Sequence, residues 1–176
     1  MTTFIALLRG VNVVGRNKVP MADLRKLVER LGGDDVQTYI ASGNLVFGMH
    51  GAPTAVASQL EGAIATRFKL EIPLILRSAT QWAKYAPSNP FPTAEPKKLH
   101  LCLSKAKPKK DAVAGLLERA VGGERIQLVG DALWVDYASG VGGSKVSPAL
   151  LDRMVGSPVT ARNWNTVQKL AQMAGV

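Results

Sequence analysis

Two stretches of the sequence place cations beside hydrogen-bonding groups, a combination suited to holding an anion. The first, residues 9–18, has the sequence RGVNVVGRNK and precedes a segment with helical periodicity. Helix N-termini attract anions through their free N–H groups and the helix dipole. We therefore predict a phosphate-binding loop here, the alternative being a solvated loop that leads into a capped helix. The predicted ligand-binding residues are Arg9, Asn12, Arg16 and Lys18, joined by Ser42 and Asn44 from a nearby turn.

The second stretch combines residues 142–145 (GGSK) with residues 160–166 (TARNWNT). Both follow strands that we expect to end at the same sheet edge, roughly 10 Å apart, so the two segments can converge. Trp164 would stack on a base or ring, and the cations would hold phosphate. The alternative is that Asn165 caps the last helix and Trp164 anchors it. The predicted ligand-binding residues here are Ser144, Lys145, Arg162, Asn163, Trp164 and Asn165.

Other reactive side chains do not form a recognisable catalytic or metal-binding motif. Ser42 lies on a turn without the G-x-S-x-G pattern, and neither His50 nor His100 has a spacing that identifies it as its base. His100 and Cys102 share a strand face, but two potential ligands do not make a zinc site. We expect no metal and no cofactor, and the sequence identifies no catalytic residue.

The order of predicted elements is β-α-β-β-α-β, repeated once. The first half has predicted strands at 4–8, 36–41, 45–48 and 72–76, with helices at 20–31 and 56–68. The second half has predicted strands at 99–103, 126–129, 132–137 and 159–160, with helices at 111–121, 147–155 and 166–174.

This order predicts an α+β protein, a tandem of two ferredoxin-like sandwiches with antiparallel sheets plus a C-terminal helix. Residues 1–78 form the first predicted domain and residues 97–176 the second, with the C-terminal helix. Residues 79–96 contain four prolines and form a connector with a short helix around Trp82. In such a sheet Arg9 should lie close to Asn44.

Composition bounds the class of protein. The chain has 176 residues, 47% of them hydrophobic and 20% charged, which is typical of a packed globular protein. The formal net charge of +9 favours anionic partners, a small molecule or nucleic acid. Without a bilayer-length apolar run or a second cysteine beside Cys102, we expect a cytoplasmic protein with no membrane partner. The oligomeric state is not predicted.

Several segments together resemble a known group, the bacterial domain of unknown function 1697 family. They are Ala6-Leu7-Leu8-Arg9-Gly10-Val11-Asn12-Val13, Met21, Leu24-Arg25, Thr38-Tyr39-Ile40, Ser42-Gly43-Asn44, Asn89-Pro90-Phe91, Ser144-Lys145 and Arg162-Asn163-Trp164-Asn165-Thr166-Val167. The resemblance implies two ferredoxin-like domains in tandem and no established activity. The family loop usually has Gly-Gly where this chain has Val14-Gly15, and valine disfavours the backbone conformations open to glycine.

The leading functional hypothesis is a binding protein for a phosphate-containing ligand, a nucleotide or a nucleic acid. One alternative is an enzyme acting on a small anionic metabolite, in which Arg9 and Lys145 orient the substrate and Ser42 or Lys145 has a chemical role. Another is a protein–protein interaction module whose sheet faces or edges pair with another chain.

Overall fold

The computed structural model describes residues 1–176 as a mixed α+β protein with two four-stranded antiparallel sheets and a C-terminal helix. The chain divides into two units, one of Met1–Ala83 with Leu170–Val176 and the other of Lys84–Lys169. Domain boundaries after residues 78 and 96 stay a prediction. No helix combines the length and apolar character needed to span a bilayer.

The first unit contains one sheet of strand order β2-β3-β1-β4. Its elements are β1 (Thr2–Leu8), α1 (Met21–Arg30), β2 (Asp34–Tyr39), β3 (Asn44–Met49), α2 (Pro53–Phe68), β4 (Leu74–Ser78) and α3 (Ala79–Trp82). The pairing of Leu7 with Asn44 fixes the register of the two central strands, β1 and β3. It places Arg9 at the level of the β2–β3 turn, as the sequence predicted.

Alternation along β1 builds the core of the first unit. Phe4, Ala6 and Leu8 point to the face that the helices cover, because side chains two residues apart share a face of a strand. Leu24 of α1 and Leu60 of α2 pack into the same cluster and are fully buried. Full burial of each such leucine side chain stabilises the fold by about 1.5–3 kcal/mol relative to exposure.

The second unit contains a sheet of strand order β6-β7-β5-β8. Its elements are β5 (Leu99–Ser104), α4 (Ala112–Leu117), β6 (Arg125–Val129), β7 (Ala132–Asp136), α5 (Pro148–Val155), β8 (Val159–Asn163) and α6 (Trp164–Ala174), the last running on into Leu170–Val176 of the other unit. The pairing of Val129 with Ala132 confirms the predicted hairpin across Gly130-Asp131.

Three helix boundaries differ from the sequence prediction by two or more residues. α2 begins at Pro53 rather than residue 56, and the other two differ for identifiable reasons. The helix expected to reach residue 121 ends at Leu117, because the N–H groups of Arg119 and Ala120 bond carbonyls only three residues back, which tightens the chain into turns. The last helix begins at Trp164 rather than residue 166, because the side chain of Asn163 caps it.

Gly43 occupies a position that only glycine fits well. Its φ is +81°, and an added Cβ would lie 2.6 Å from Cγ2 of Val11 and 2.8 Å from Cβ of Leu8. The Gly43 carbonyl also accepts a hydrogen bond of 2.8 Å from the Leu8 N–H. The β2–β3 turn is therefore pressed directly against the end of β1.

We expect Gly43→Ala to lower the free energy of unfolding by about 2–4 kcal/mol, from left-handed strain plus overpacking. Gly15→Ala is the matched control, because Gly15 has a φ of +75° but no heavy atom within 4 Å of its added Cβ. That control should lose only about 1 kcal/mol. Urea unfolding measures both, and equal losses would contradict the packing argument.

Candidate functional site

Residues 12–17 form a small β-hairpin rather than an open loop. The Asn12 N–H donates to the Asn17 carbonyl at 3.0 Å, and the Arg16 N–H donates to the Val13 carbonyl at 2.9 Å. Val14 and Gly15 form the two-residue turn at its tip, with φ of 46° and 75°. Two backbone donors of the predicted phosphate-binding loop are therefore used within the hairpin.

The Asn12 side chain holds the hairpin base. Its Nδ2 donates to the carbonyls of Val19, at 2.9 Å, and Ala41, at 2.7 Å. Its Oδ1 accepts from the Val19 N–H at 2.9 Å. The contact with Ala41 confirms that the first loop and the β2–β3 turn share one edge of the sheet. Both polar atoms of the Asn12 carboxamide are therefore used in hydrogen bonds within the fold.

Asn44 and Ser42 close the β2–β3 turn. Asn44 is fully buried, and its Nδ2 donates to the Tyr39 carbonyl at 2.8 Å and to Ser42 Oγ at 3.0 Å. Arg9 is half-buried, and its N–H donates to the Pro73 carbonyl at 3.0 Å. The remaining predicted residues of this segment, Arg16 and Lys18, are exposed and form no ion pair.

Arg162 is buried in the second unit, 8% exposed. Its guanidinium donates to Thr160 Oγ1 at 2.8 Å and to the Ala161 carbonyl at 2.9 Å. Burial lowers the pKa of Arg162 to about 10, so the side chain stays charged at neutral pH. Its neighbour Ala161 faces the helix-covered core, which places Arg162 on the opposite face of the sheet.

The structure therefore does not bring Arg162 and Lys145 together. The preceding strands do end at one edge, since Asp136 pairs with Leu99 and Asn163 pairs with His100. Lys145, however, is exposed in the loop before α5 and lines a cleft with residues at the end of α4 and in α5. The prediction that β7 and β8 end at the same edge is confirmed, whereas the side chains of Lys145 and Arg162 do not converge there.

Asn163 and Trp164 fix the start of α6. Asn163 Oδ1 accepts from the Thr166 N–H at 3.0 Å, so Asn163 is the cap and the prediction of Asn165 as the cap is wrong. The Trp164 ring lies 5.5 Å from that of the fully buried Trp134, which supports its role as an anchor. Asn165 is exposed in the first turn of the helix.

Lys145 lines a cleft of about 720 Å³ between the end of α4 and the start of α5. Arg119 and Arg153 line the same cleft, with Glu118 as its acidic residue. None of these four side chains forms an ion pair. Three cations against one carboxylate make the cleft electropositive.

The N-terminus of α5 opens onto this cleft. Ser147 caps the helix by accepting from the Leu150 N–H at 3.2 Å, and Pro148 has no N–H to offer. The N–H of Ala149, between Pro148 and Leu150 in the chain, lies beside the cleft and donates no hydrogen bond within the protein. The helix dipole adds to the attraction that the side-chain cations exert on an anion.

Glu124 and Ser144 hold the loop that carries Lys145. The Ser144 hydroxyl donates to Glu124 Oε1, and the Gly122 N–H donates to Oε2 at 2.8 Å. Ser144 Oγ also accepts from the Val146 N–H at 3.1 Å. The hydrogen bond from Ser144 lowers the pKa of Glu124 below its ordinary range, although burial opposes the shift.

Sequence reasoning missed Arg119, Arg153 and Glu124. Arg153 could have been found from helix spacing, because it lies four residues after Ala149 on the side of α5 away from the buried Leu151 and Val155. Arg119 and Glu124 reach the site only through the packing of α4 and the register of β6, which no local pattern reveals.

Cys102 is buried and His100 is half-buried on the same strand. Burial raises the pKa of the Cys102 thiol to about 12, so it stays protonated. Burial lowers the pKa of His100, whose ring meets that of Tyr137 edge to face at 5.2 Å. No group of three or more His, Cys, Asp or Glu side chains is placed to hold a metal ion.

We expect Ser144→Ala to lower the free energy of unfolding by about 1–2 kcal/mol at pH 7, because Glu124 loses its hydroxyl donor. The lowered pKa of Glu124 means that this stabilisation is present above the unfolded-state pKa and is lost as pH falls through the folded-state value. The deficit of the variant should therefore shrink below about pH 4. Ser139→Ala is the control, since Ser139 donates to the uncharged Gly122 carbonyl. A deficit that is the same at pH 7 and pH 3 would contradict the assignment.

Comparisons with known proteins agree with this fold. A solved structure, that of the conserved bacterial protein SP0830 from Streptococcus pneumoniae, is similar with a TM-score of 0.78 and 23% identity over 98% of each chain. That likeness concerns the fold alone. No curated protein matches the chain significantly. The family model of DUF1697, described as protein of unknown function, matches residues 1–134, and the chain belongs to this family.

Proposed function

We propose that the protein binds a phosphate-bearing small molecule of the nucleotide class in the cleft between α4 and α5. The observation that carries this proposal is that Arg119, Lys145 and Arg153 line one cavity without an internal ion pair. Neutralising charge must then come from solvent ions or from a ligand. A multivalent anion such as a di- or triphosphate satisfies all three cations at once.

The size and lining of the cleft favour a nucleotide over a bare ion. Its volume of about 720 Å³ lies within the range of small-molecule sites. Val121 and Leu150 supply an apolar wall for a ring, while the cations face phosphate. A single-stranded oligonucleotide whose end enters the cleft shares this chemistry, and the experiment below separates the two sources.

Binding is better supported than turnover. Glu118 is the acidic residue of the cleft lining, and no histidine, cysteine or tyrosine accompanies it there. General acid–base catalysis ordinarily needs a positioned proton donor and acceptor at the reacting atoms. The enzyme hypothesis gives the chemical role to Ser42 or Lys145. Ser42 lies in the other unit and accepts a hydrogen bond from Asn44, which leaves Lys145 as the candidate in the cleft.

We also infer that each unit is a ferredoxin-like sandwich, so that the chain is a tandem of this fold. The order β-α-β-β-α-β in each unit supports this, as do the matching strand orders β2-β3-β1-β4 and β6-β7-β5-β8.

We expect Lys145→Ala and Arg153→Ala each to weaken binding of a nucleoside triphosphate about 5- to 10-fold, since each removes one charge-assisted contact with phosphate. Lys107→Ala, an exposed lysine of the same unit outside the cleft, should leave affinity unchanged. Isothermal titration calorimetry at low salt measures the affinity of each variant for four probes. They are the nucleoside triphosphate, the monophosphate, inorganic pyrophosphate and a short single-stranded RNA.

The pattern across these probes decides the outcome. Triphosphate binding that exceeds pyrophosphate binding assigns the apolar wall to the nucleoside. Oligonucleotide binding at least tenfold tighter than that of the triphosphate would instead identify nucleic acid as the source of the phosphate. Equal effects of Lys145→Ala and Lys107→Ala, or no binding by any probe, would rule the cleft out.

A further inference from the structure

We propose that the hairpin patch, defined as Val13, Val14, Arg16, Lys18 and Ile40, docks a protein partner that offers an apolar pocket with an acidic rim. The patch belongs to the first unit and shares no residue with the α4–α5 cleft. Its test therefore stands or falls separately from the nucleotide proposal.

Three aliphatic side chains of the patch project into solvent. Val14 is 94% exposed, Val13 54% and Ile40 51%. The hydrogen bond from Asn12 to Ala41 joins the hairpin base to the turn that carries Ile40. The exposed aliphatic groups thus lie on two loops that the fold fastens together, rather than being scattered singly over the surface.

Two of these side chains sit on strained backbone. Val14 has a φ of 46° and Ile40 a φ of 49°, in the left-handed region that β-branched residues rarely adopt. Glycine or asparagine would occupy either position with less strain. An exposed valine at such a position adds strain and buries almost no apolar surface within the fold, so its apolar group is available to a partner.

The two chain segments that carry the patch contain no acidic side chain, and the first of them supplies both cations of the patch. Residues 1–22 contain no acidic residue, and neither do residues 36–60. Arg16 and Lys18 are exposed and form no ion pair. An acidic rim on the partner would complement these cations while its pocket receives Val14.

A protein fits these observations better than other occupants. A projecting tip needs a concave surface, and the hairpin carries no aromatic ring to stack on bases or to anchor in a lipid interface. A second copy of this chain would bring the same cations against each other.

The probes are fluorescein-labelled acidic peptides of about 15 residues, each with two leucine or phenylalanine residues between glutamates, and matched peptides with serine at those two positions. We expect fluorescence anisotropy to give a Kd on the order of 100 µM for the apolar peptides and at least fivefold weaker binding for the serine peptides. Val14→Asn should reduce binding at least fivefold and leave the melting temperature unchanged or raised, because asparagine tolerates the left-handed backbone. Arg16→Glu should reduce binding at low salt most strongly.

Two control variants isolate the patch. Val141→Asn replaces a valine that is 49% exposed in the other unit, and Lys26→Glu reverses an exposed lysine on α1. Both should bind the apolar peptides as the unaltered protein does. Equal binding of the serine and apolar peptides would mean that charge attraction alone drives binding, and this would overturn the proposal. Three other results would also overturn the proposal. They are self-association that is lost in Val14→Asn, binding to anionic vesicles in place of the peptides, and no binding at all.

Discussion

The first strand of each unit lies between the third and fourth strands of its own sheet, and both of these run antiparallel to it. The chain leaving β1 therefore emerges where β3 and β4 begin, which explains why Arg9 reaches Pro73 and Asn12 reaches Ala41. In the second unit the end of β7 and the start of α5 lie at the opposite end, beside the start of β5. Within the first unit, the hairpin patch thus lies where the first strand ends. Within the second unit, the cleft lies where the first strand begins.

Short polar side chains at these sheet ends form hydrogen bonds with backbone groups of the turns. Turns leave N–H and carbonyl groups without ladder partners, and buried ones must be satisfied. Asn44, Asn163 and Ser144 each bond a backbone group within a few residues, and Asn12 bonds the Ala41 carbonyl in the neighbouring β2–β3 turn. Residue type alone cannot separate an asparagine that closes a turn from one that binds a ligand, since both need the same donors and acceptors.

Local patterns predicted the fold far better than the site. Alternation, helical spacing and the Ser147-Pro148 start of α5 depend on neighbours in sequence, and they located every strand and helix to within a few residues. The position of Arg162 depends on strand parity, because a one-residue difference moves a side chain to the other face. Arg119 joins Lys145 only through the packing of two helices. Such relations depend on tertiary structure, which spacing along the chain does not encode.

The ion pairs of the fold show which cations are available for binding. Arg125 donates to Asp136 at 2.6 Å and lies 4.6 Å from the centre of the Phe91 ring, so both partners have a structural role. Arg67 likewise pairs with Asp23. Because acids are fewer than bases, such pairing uses up carboxylates and leaves an excess of cations. An unpaired, hydrated cation gains most from a new anion when a cavity lowers the local dielectric constant. Neither Lys145 nor Arg16 has such surroundings in the unbound protein, because both side chains are exposed. A ligand that covers Val121 and Leu150 would supply them in the cleft, whereas at the hairpin patch they must come from the partner itself.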